Sequence, residues 1–365
     1  MLRIERRVEP SRAMSVLSPL LAALVTLLLG VALFVILGKD PLAGLNVFLV
    51  EPLKDASALS ELAVKATPLV LIALGLALCF RSNLWNIGAE GQFILGALCA
   101  GRVAMLATPQ TSPFIVVLVL CAGVLGGMAW AAIVALLRDR FHTSEILVSL
   151  MLVYVAEMWL GYLVSGPWKD PHGYNFPQTV TFASVTEIPR LMDGYRVDIG
   201  VLIALSLVGI FWVFIFRTYV GFQLEVSGLS PAAARYAGFS PRRAVWTALL
   251  TSGGMAGLAG ALEAAGPLRQ LTPSVPSGYG FAAIIVAFVG RLHPVGIVFS
   301  AILMSLFYLG GELAQSRLGL PKSVTGVFQG LLLFSLLVCD TLVRYRVRLQ
   351  RARFLRATEP AASAQ

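Results

Sequence analysis

Apolar runs of roughly twenty residues recur along this chain from residue 14 to residue 342, each closed by a short polar or basic break. One large hydrophobic core has no use for so many long runs, whereas each crossing of the hydrocarbon layer takes about 20 mostly apolar residues. Composition agrees, since 58% of the chain is hydrophobic and only 13% charged, against about a quarter charged in soluble domains. The reading is an all-α, polytopic membrane protein in which one transmembrane domain takes up the chain. Ten spans are expected, at 14–38, 62–80, 86–106, 113–137, 146–165, 199–216, 244–265, 281–290, 295–312 and 324–342. The first follows the basic segment MLRIERRVEPSRAMS and has no small-residue cleavage site at its end, so it reads as a retained helix and not as a removed leader. The eighth is too short to cross alone. With the break Arg291-Leu292-His293-Pro294, it forms with the ninth either two helices joined by a tight turn or one re-entrant hairpin.

The basic residues fix an orientation. With the N-terminus inside and ten crossings, inner segments hold eighteen of the 28 Lys and Arg, as the excess of cations in cytoplasmic loops requires. Both termini, 1–13 and the basic tail 343–365, are then expected in the cytoplasm, and the polar end ATEPAASAQ is expected to be disordered. The net charge of +9 is spread over the ends of apolar runs and forms no patch, which argues against nucleic acid and for lipid. Cys79, Cys99, Cys121 and Cys339 lie in or beside apolar runs without a CxxC pair and read as packing residues. No cofactor, metal cluster or Ser/His/Asp set stands out.

Two loops are long. The outer one, 166–197, is rich in Pro and Gly and reads as a cap. The inner one, 217–243, contains Ser230-Pro231-Ala232-Ala233-Ala234-Arg235-Tyr236-Ala237-Gly238. A capping Ser, Pro at the first helical position, Ala-rich turns and a Gly stop predict a short cytoplasmic helix. A small-residue face, Gly253, Gly254, Gly257 and Gly260, suits close helix packing that also permits sliding.

The block NLWNIGAEGQF at 83–93 places Asn83, Asn86, Glu90 and Gln92 between apolar runs. A charge at bilayer depth costs about 2.5–3.5 kcal/mol on insertion scales, so such groups face a bundle interior or a watery path. Three readings stand. Asn83, Asn86, Glu90, Gln92 and Phe93 line a path; or Asn86 caps a helix start while buried backbone or an Arg satisfies Glu90; or the block meets a paired subunit. Glu157, with Tyr154 and Tyr162 nearby, either offers hydrogen bonds and aromatic faces to a solute or makes an interhelical bond. Glu145, behind Thr143 and Ser144, reads as a helix-start residue. Glu263, Glu312 and Gln329 are polar groups in or near late spans, with Lys65 and Arg269 as possible partners. His293 before Pro294 reads as a turn residue.

The block NLWNIGAEGQFILGAL, the stretch LLRDRFHTSEILVSLMLVYVA, the inner loop RTYVGFQLEVSGLSPAAARYAGFSPRRAV and the late element GYGFAAIIVAFVGRLHPVGIVFSAIL resemble the permease subunits of ATP-binding cassette (ABC) importers for nucleosides and simple sugars. The likeness runs from about residue 62 to 342, and the block at 83–93 points to the nucleoside-type branch. The resemblance implies a non-catalytic, pore-forming half in the inner membrane of a prokaryote. Its implied partners are a second, homologous permease, separate ATPase subunits and an extracytoplasmic substrate-binding lipoprotein. It also implies that Ser230, Pro231, Ala233, Ala234, Arg235, Tyr236, Ala237 and Gly238 form the ATPase-coupling element. The chain has no GxxxxGK[ST] loop with which to cradle ATP phosphates. Alternatives are a ribose- or galactose-type permease of the same design, or an ion-coupled secondary carrier using Glu90 and Glu157.

Overall fold

The computed structural model describes residues 2–6, 12–192 and 194–349. The polar end 357–365, with Arg7, Arg351, Arg353 and Arg356 of the orientation count, lies outside the described residues. In order, the elements are β1 (Leu2–Arg6), α1 (Arg12–Ile36), α2 (Pro41–Leu45), α3 (Ala56–Arg81), α4 (Ala89–Leu106), α5 (Ile115–Phe141), α6 (Glu145–Ser165), α7 (Ile199–Arg217), α8 (Tyr219–Leu229), α9 (Pro231–Tyr236), α10 (Pro241–Glu263), α11 (Tyr279–Val289), α12 (Pro294–Leu318), α13 (Ser323–Arg344) and β2 (Tyr345–Leu349). Among the described residues, eight helices are long and apolar enough to cross a membrane, and Tyr279–Val289, Ser323–Cys339 and Pro41–Leu53 are shorter apolar helices. The fold is helical and polytopic, as the apolar runs require.

The chain divides into two units, 1–29 with 331–365, and 30–330. In the first, β1 and β2 pair antiparallel, with Leu2 opposite Leu349 and Arg6 opposite Tyr345. This ladder adds a short β element to a chain read as helical throughout. Its alternation is too brief to register beside the apolar runs.

The second unit is built on α3. Of its span, 89% is buried, against 28% for α5, 22% for α6 and 28% for α7; the outer helices therefore present apolar faces to their surroundings. Against α3 pack α10, α11 and α12, and α10 in turn crosses α4 and α5 on glycine. A Cβ on Gly257 would stand 2.9 Å from the Gly127 Cα, and one on Gly260 would stand 2.9 Å from the Ala97 nitrogen. Backbones touch there, which is how small-residue faces hold helices together in lipid, where burial of side chains gains little. The 253–260 stripe thus locks three helices together.

The loops gather on two faces. On one, Arg81 pairs with Glu225 at 3.0 Å, Arg242 with Asp139 at 2.7 Å, and Arg138 with Glu145. On the other, the 166–198 loop is pinned to the segment after α10. The Thr179 amide donates to the Leu271 carbonyl at 3.0 Å, the Phe182 amide to Arg269 at 2.8 Å, and Arg269 pairs with Glu187 at 3.0 Å. This cap is ordered by backbone pairing. Asp198 ends it by capping α7, its carboxylate accepting from the Gly200 amide at 2.8 Å.

The helical element at 41–53 is not expected from the sequence. It is too short to resemble a crossing, and its helix changes pitch at Asn46–Val50 and Glu51–Leu53. It is held by aromatic packing: the Phe48 ring stacks on Phe328 at 4.3 Å and meets Phe307 at 5.9 Å.

Candidate functional site

The polar block lies where the third span was expected to begin, but its helix starts later, at Ala89. Residues 82–88 fold back into the bundle. Asn86 is fully buried, and its amide donates to Gln92 Oε1 at 2.9 Å and to Ser252 Oγ of α10 at 3.0 Å. Its carbonyl oxygen accepts from the Gly88 amide and from Gln92 Nε2, both at 3.2 Å. Two more links reach α6, with the Ile87 amide donating to Ser149 Oγ at 3.3 Å and the Trp85 amide to Glu145 Oε1 at 3.4 Å. Non-helical backbone at this depth is tolerated only when buried partners satisfy it. Here Asn86, Ser149 and Glu145 do so.

Glu90 is 1% exposed. Its carboxylate reaches the start of α11, accepting from the Gly278 amide at 2.9 Å and the Gly280 amide at 2.5 Å. At 11 residues, α11 is about 16 Å long, half of a hydrocarbon layer about 30 Å thick. Its first amides therefore lie inside the protein, where an unsatisfied donor is costly. A carboxylate from α4 fills that need and complements the positive end of the helix dipole. Gly278, at φ +78°, makes the turn that aims both amides at Glu90. Next to this contact the Phe93 ring meets the Tyr279 ring edge-on at 6.0 Å.

The structure thus brings together Asn86, Glu90, Gln92 and Phe93. It does not bring Asn83 or Tyr154 to them. Asn83 is exposed in a left-handed turn at φ 54°, and Tyr154 is 54% exposed on an outer face of α6, where Tyr162 is 66% exposed. Glu157 is half-buried on α6. Lys65 and Glu312 pair at 2.7 Å. The short eighth element and its successor are two helices joined by the Arg291–Leu292 turn, with His293 capping α12 by accepting from the Val295 amide at 3.3 Å.

The helix expected at 230–238 is α9. Ser230 caps it, its hydroxyl accepting from the Ala233 amide at 3.4 Å, and Pro231 opens it. Ala234 is fully buried while Tyr236 is 97% exposed. Pro231, Ala233, Arg235 and Ala237 are exposed, and Gly238 ends the knob. The knob sits on α8, which sequence reading leaves as loop because its polar and apolar residues show no clear period. Two contacts hold α8: a Cβ on Gly228 would meet Ser82 Cα at 2.9 Å, and Arg81 pairs with Glu225. Behind α9, Phe239 is wedged edge-on against Tyr219 at 5.8 Å and Phe222 at 6.2 Å.

A second polar region escapes motif reading because its residues come from distant elements. It is a cavity of about 480 Å³ lined by the segment before α11 and its first turn, the second half of α12 and the start of α13. Glu312 and Gln329 are polar groups in late apolar runs, but nothing in their spacing links them to Ser277 or Phe281.

A many-span helical bundle with helices broken at depth, polar groups at the breaks and a rigid knob on one face is the architecture of a membrane permease. Residues 58–337 match the family described as branched-chain amino acid transport system / permease component, and the chain belongs to that family. It is 31% identical to the glucose ABC transporter permease protein TsgB13 of Haloferax volcanii, over 95% of this chain and 94% of that one. It is 29% identical to the guanosine ABC transporter permease protein NupP of Bacillus subtilis, over 87% and 91%, and 26% identical to the nucleoside ABC transporter permease protein NupB of Lactococcus lactis, over 96% and 97%. No solved structure matches the chain. The chain is therefore the non-catalytic, multi-pass permease subunit of an ABC importer, working with ATPase and substrate-binding partners, and it is not an ion-coupled carrier.

Proposed function

We propose that this permease carries nucleosides across the inner membrane of a prokaryote by alternating access, and that the ATPase drives it through α9. The observation that carries the coupling is the contrast within one short helix, where a fully buried Ala234 anchors a Tyr236 that is 97% exposed. An exposed aromatic beside Arg235, on a base tied to α3 by Arg81–Glu225, suits an anchor in a partner's groove. Rigid attachment to the most buried helix lets closure of the ATPase pair pull on the bundle. The pairing of β1 with β2 supports both termini on one side, which the cation count makes the cytoplasm. The largely unburied faces of α5, α6 and α7 suit lipid and a second, homologous permease. A substrate-binding lipoprotein docks on the opposite, capped face.

Nucleoside cargo is supported by the likeness to the guanosine and nucleoside permeases across most of the chain. The likeness to a glucose permease favours a simple sugar as the second reading. The test is uptake of labelled guanosine and glucose by proteoliposomes holding the whole importer. Arg235→Glu should abolish co-purification of the ATPase and reduce uptake at least roughly ten-fold, as loss of an interface anchor does. An intact complex with full uptake in that variant refutes the coupling role, and glucose accumulation without guanosine uptake selects the sugar reading.

A further inference from the structure

The cavity before α11 differs in kind from the network around Asn86. Its volume, about 480 Å³, is within the range of small-molecule sites. Two aromatic rings stand in its wall, Phe281, 39% exposed, and the half-buried Tyr308. The Tyr308 hydroxyl donates to the Ser277 carbonyl at 3.1 Å, and Gln329 lines the wall beside it. Gln315 and Thr325 add an amide and a hydroxyl. Aromatic faces beside amides and hydroxyls suit a flat or ring-shaped solute bearing several hydroxyls.

Charge narrows the choice. The start of α11 borders this cavity through Ser277 and Gly278, and a free helix N-terminus attracts an anion. Glu90 already occupies it, holding the amides of Gly278 and Gly280. Glu312, on the wall, is paired with Lys65, and Lys322 stands exposed at the mouth. The helix end that would grip a carboxylate is thus filled by the protein's own carboxylate.

We propose that this cavity holds the solute during its passage and takes an uncharged, hydroxylated ring, a nucleoside or a monosaccharide, in preference to an amino acid. The inference rests on the importer reading above and locates its cargo within this chain. Thr325→Cys, in a background with Cys99→Ala and Cys121→Ala, places a thiol in the wall for modification by a methanethiosulfonate reagent. The whole importer is assembled with its ATPase and binding protein, and the amount of complex recovered reports folding. During ATP turnover, guanosine or glucose should slow labelling several-fold and leucine should not. Slowing by guanosine alone assigns a nucleoside, and slowing by glucose alone a sugar. Slowing by leucine alone overturns the preference for uncharged solutes. Unchanged labelling with all three, while the unlabelled importer accumulates guanosine or glucose, overturns the site but not the function. An importer that accumulates neither solute overturns the function, and with it this inference. As a second measure, Gln315→Ala should cut uptake roughly ten-fold, the loss expected for one hydrogen bond to the solute; unchanged uptake counts against the site.

Discussion

The start of α4 and the cavity before α11 hold similar side chains and use them in opposite ways. Around Asn86, every polar atom is turned inward to another part of the chain, and the residues are buried. In the cavity beside Tyr308, Gln315 of α12 and Thr325 and Gln329 of α13 line open space. In a lipid-embedded protein both arrangements look alike as sequence, since each interrupts an apolar run. The difference lies in whether the polar groups close on one another. Closed groups hold a broken helix in place, and open ones are available to a solute.

Mutations separate the two. The largest effect on stability is expected at Asn86→Ala, which strands the Gly88 amide, Gln92 and Ser252 at once. Each orphaned buried group costs about 1–3 kcal/mol, so the purified permease should lose roughly 2–4 kcal/mol in a thermal or denaturant assay and reach the membrane poorly. A stable Asn86→Ala protein defective only in uptake would move Asn86 to the path-lining side. Glu90→Gln should cost less, about 1–3 kcal/mol, because the amide keeps one acceptor for two backbone donors and presents its NH₂ to the other. Gln315→Ala reverses the pattern, with uptake reduced while stability changes by no more than ~0.5 kcal/mol, as for surface positions. The smallest change is expected at Asp198→Asn, within ~0.5 kcal/mol of wild type, because Asn caps a helix as well as Asp does. Burial pushes the Asp198 carboxyl up, so ionising it costs the folded state at pH values above the ordinary Asp range. Any gain from Asn should therefore show at neutral pH and fade as the pH falls and the native Asp is protonated. A gain that grows towards acid would contradict that burial.

Legibility in the sequence followed the range of each interaction. Helix α9 could be read in detail, because its Ser cap, Pro opening and Gly stop act within nine residues. The turn at 291–294 and the helix start at Glu145 are equally local. Glu90 satisfied by buried backbone is one of the open readings of the 83–93 block, and the structure gives it a geometry; Asn86 does not cap α4, whose N-cap is Gly88 without a side-chain bond, but closes the turn before it by accepting from the Gly88 amide. The identity of Glu90's partner was not legible, because Gly278 lies 188 positions away and carries no side chain to advertise it. The aromatic seat of the 41–53 element needs Phe307 and Phe328, and the cavity needs three segments at once. Glycine contacts between α4, α5 and α10 are visible only as a stripe on one helix until the partner backbones are placed.

Glu90's grip on α11 also sets a mechanical rule. One carboxylate bridges the spanning rod α4 and the half-length α11, so tilting either at that joint must carry the other along or tear out two bonds. On the coupling proposed above, a stroke delivered to α3 would reach the cavity before α11 as a single geared displacement, and the gear has one tooth.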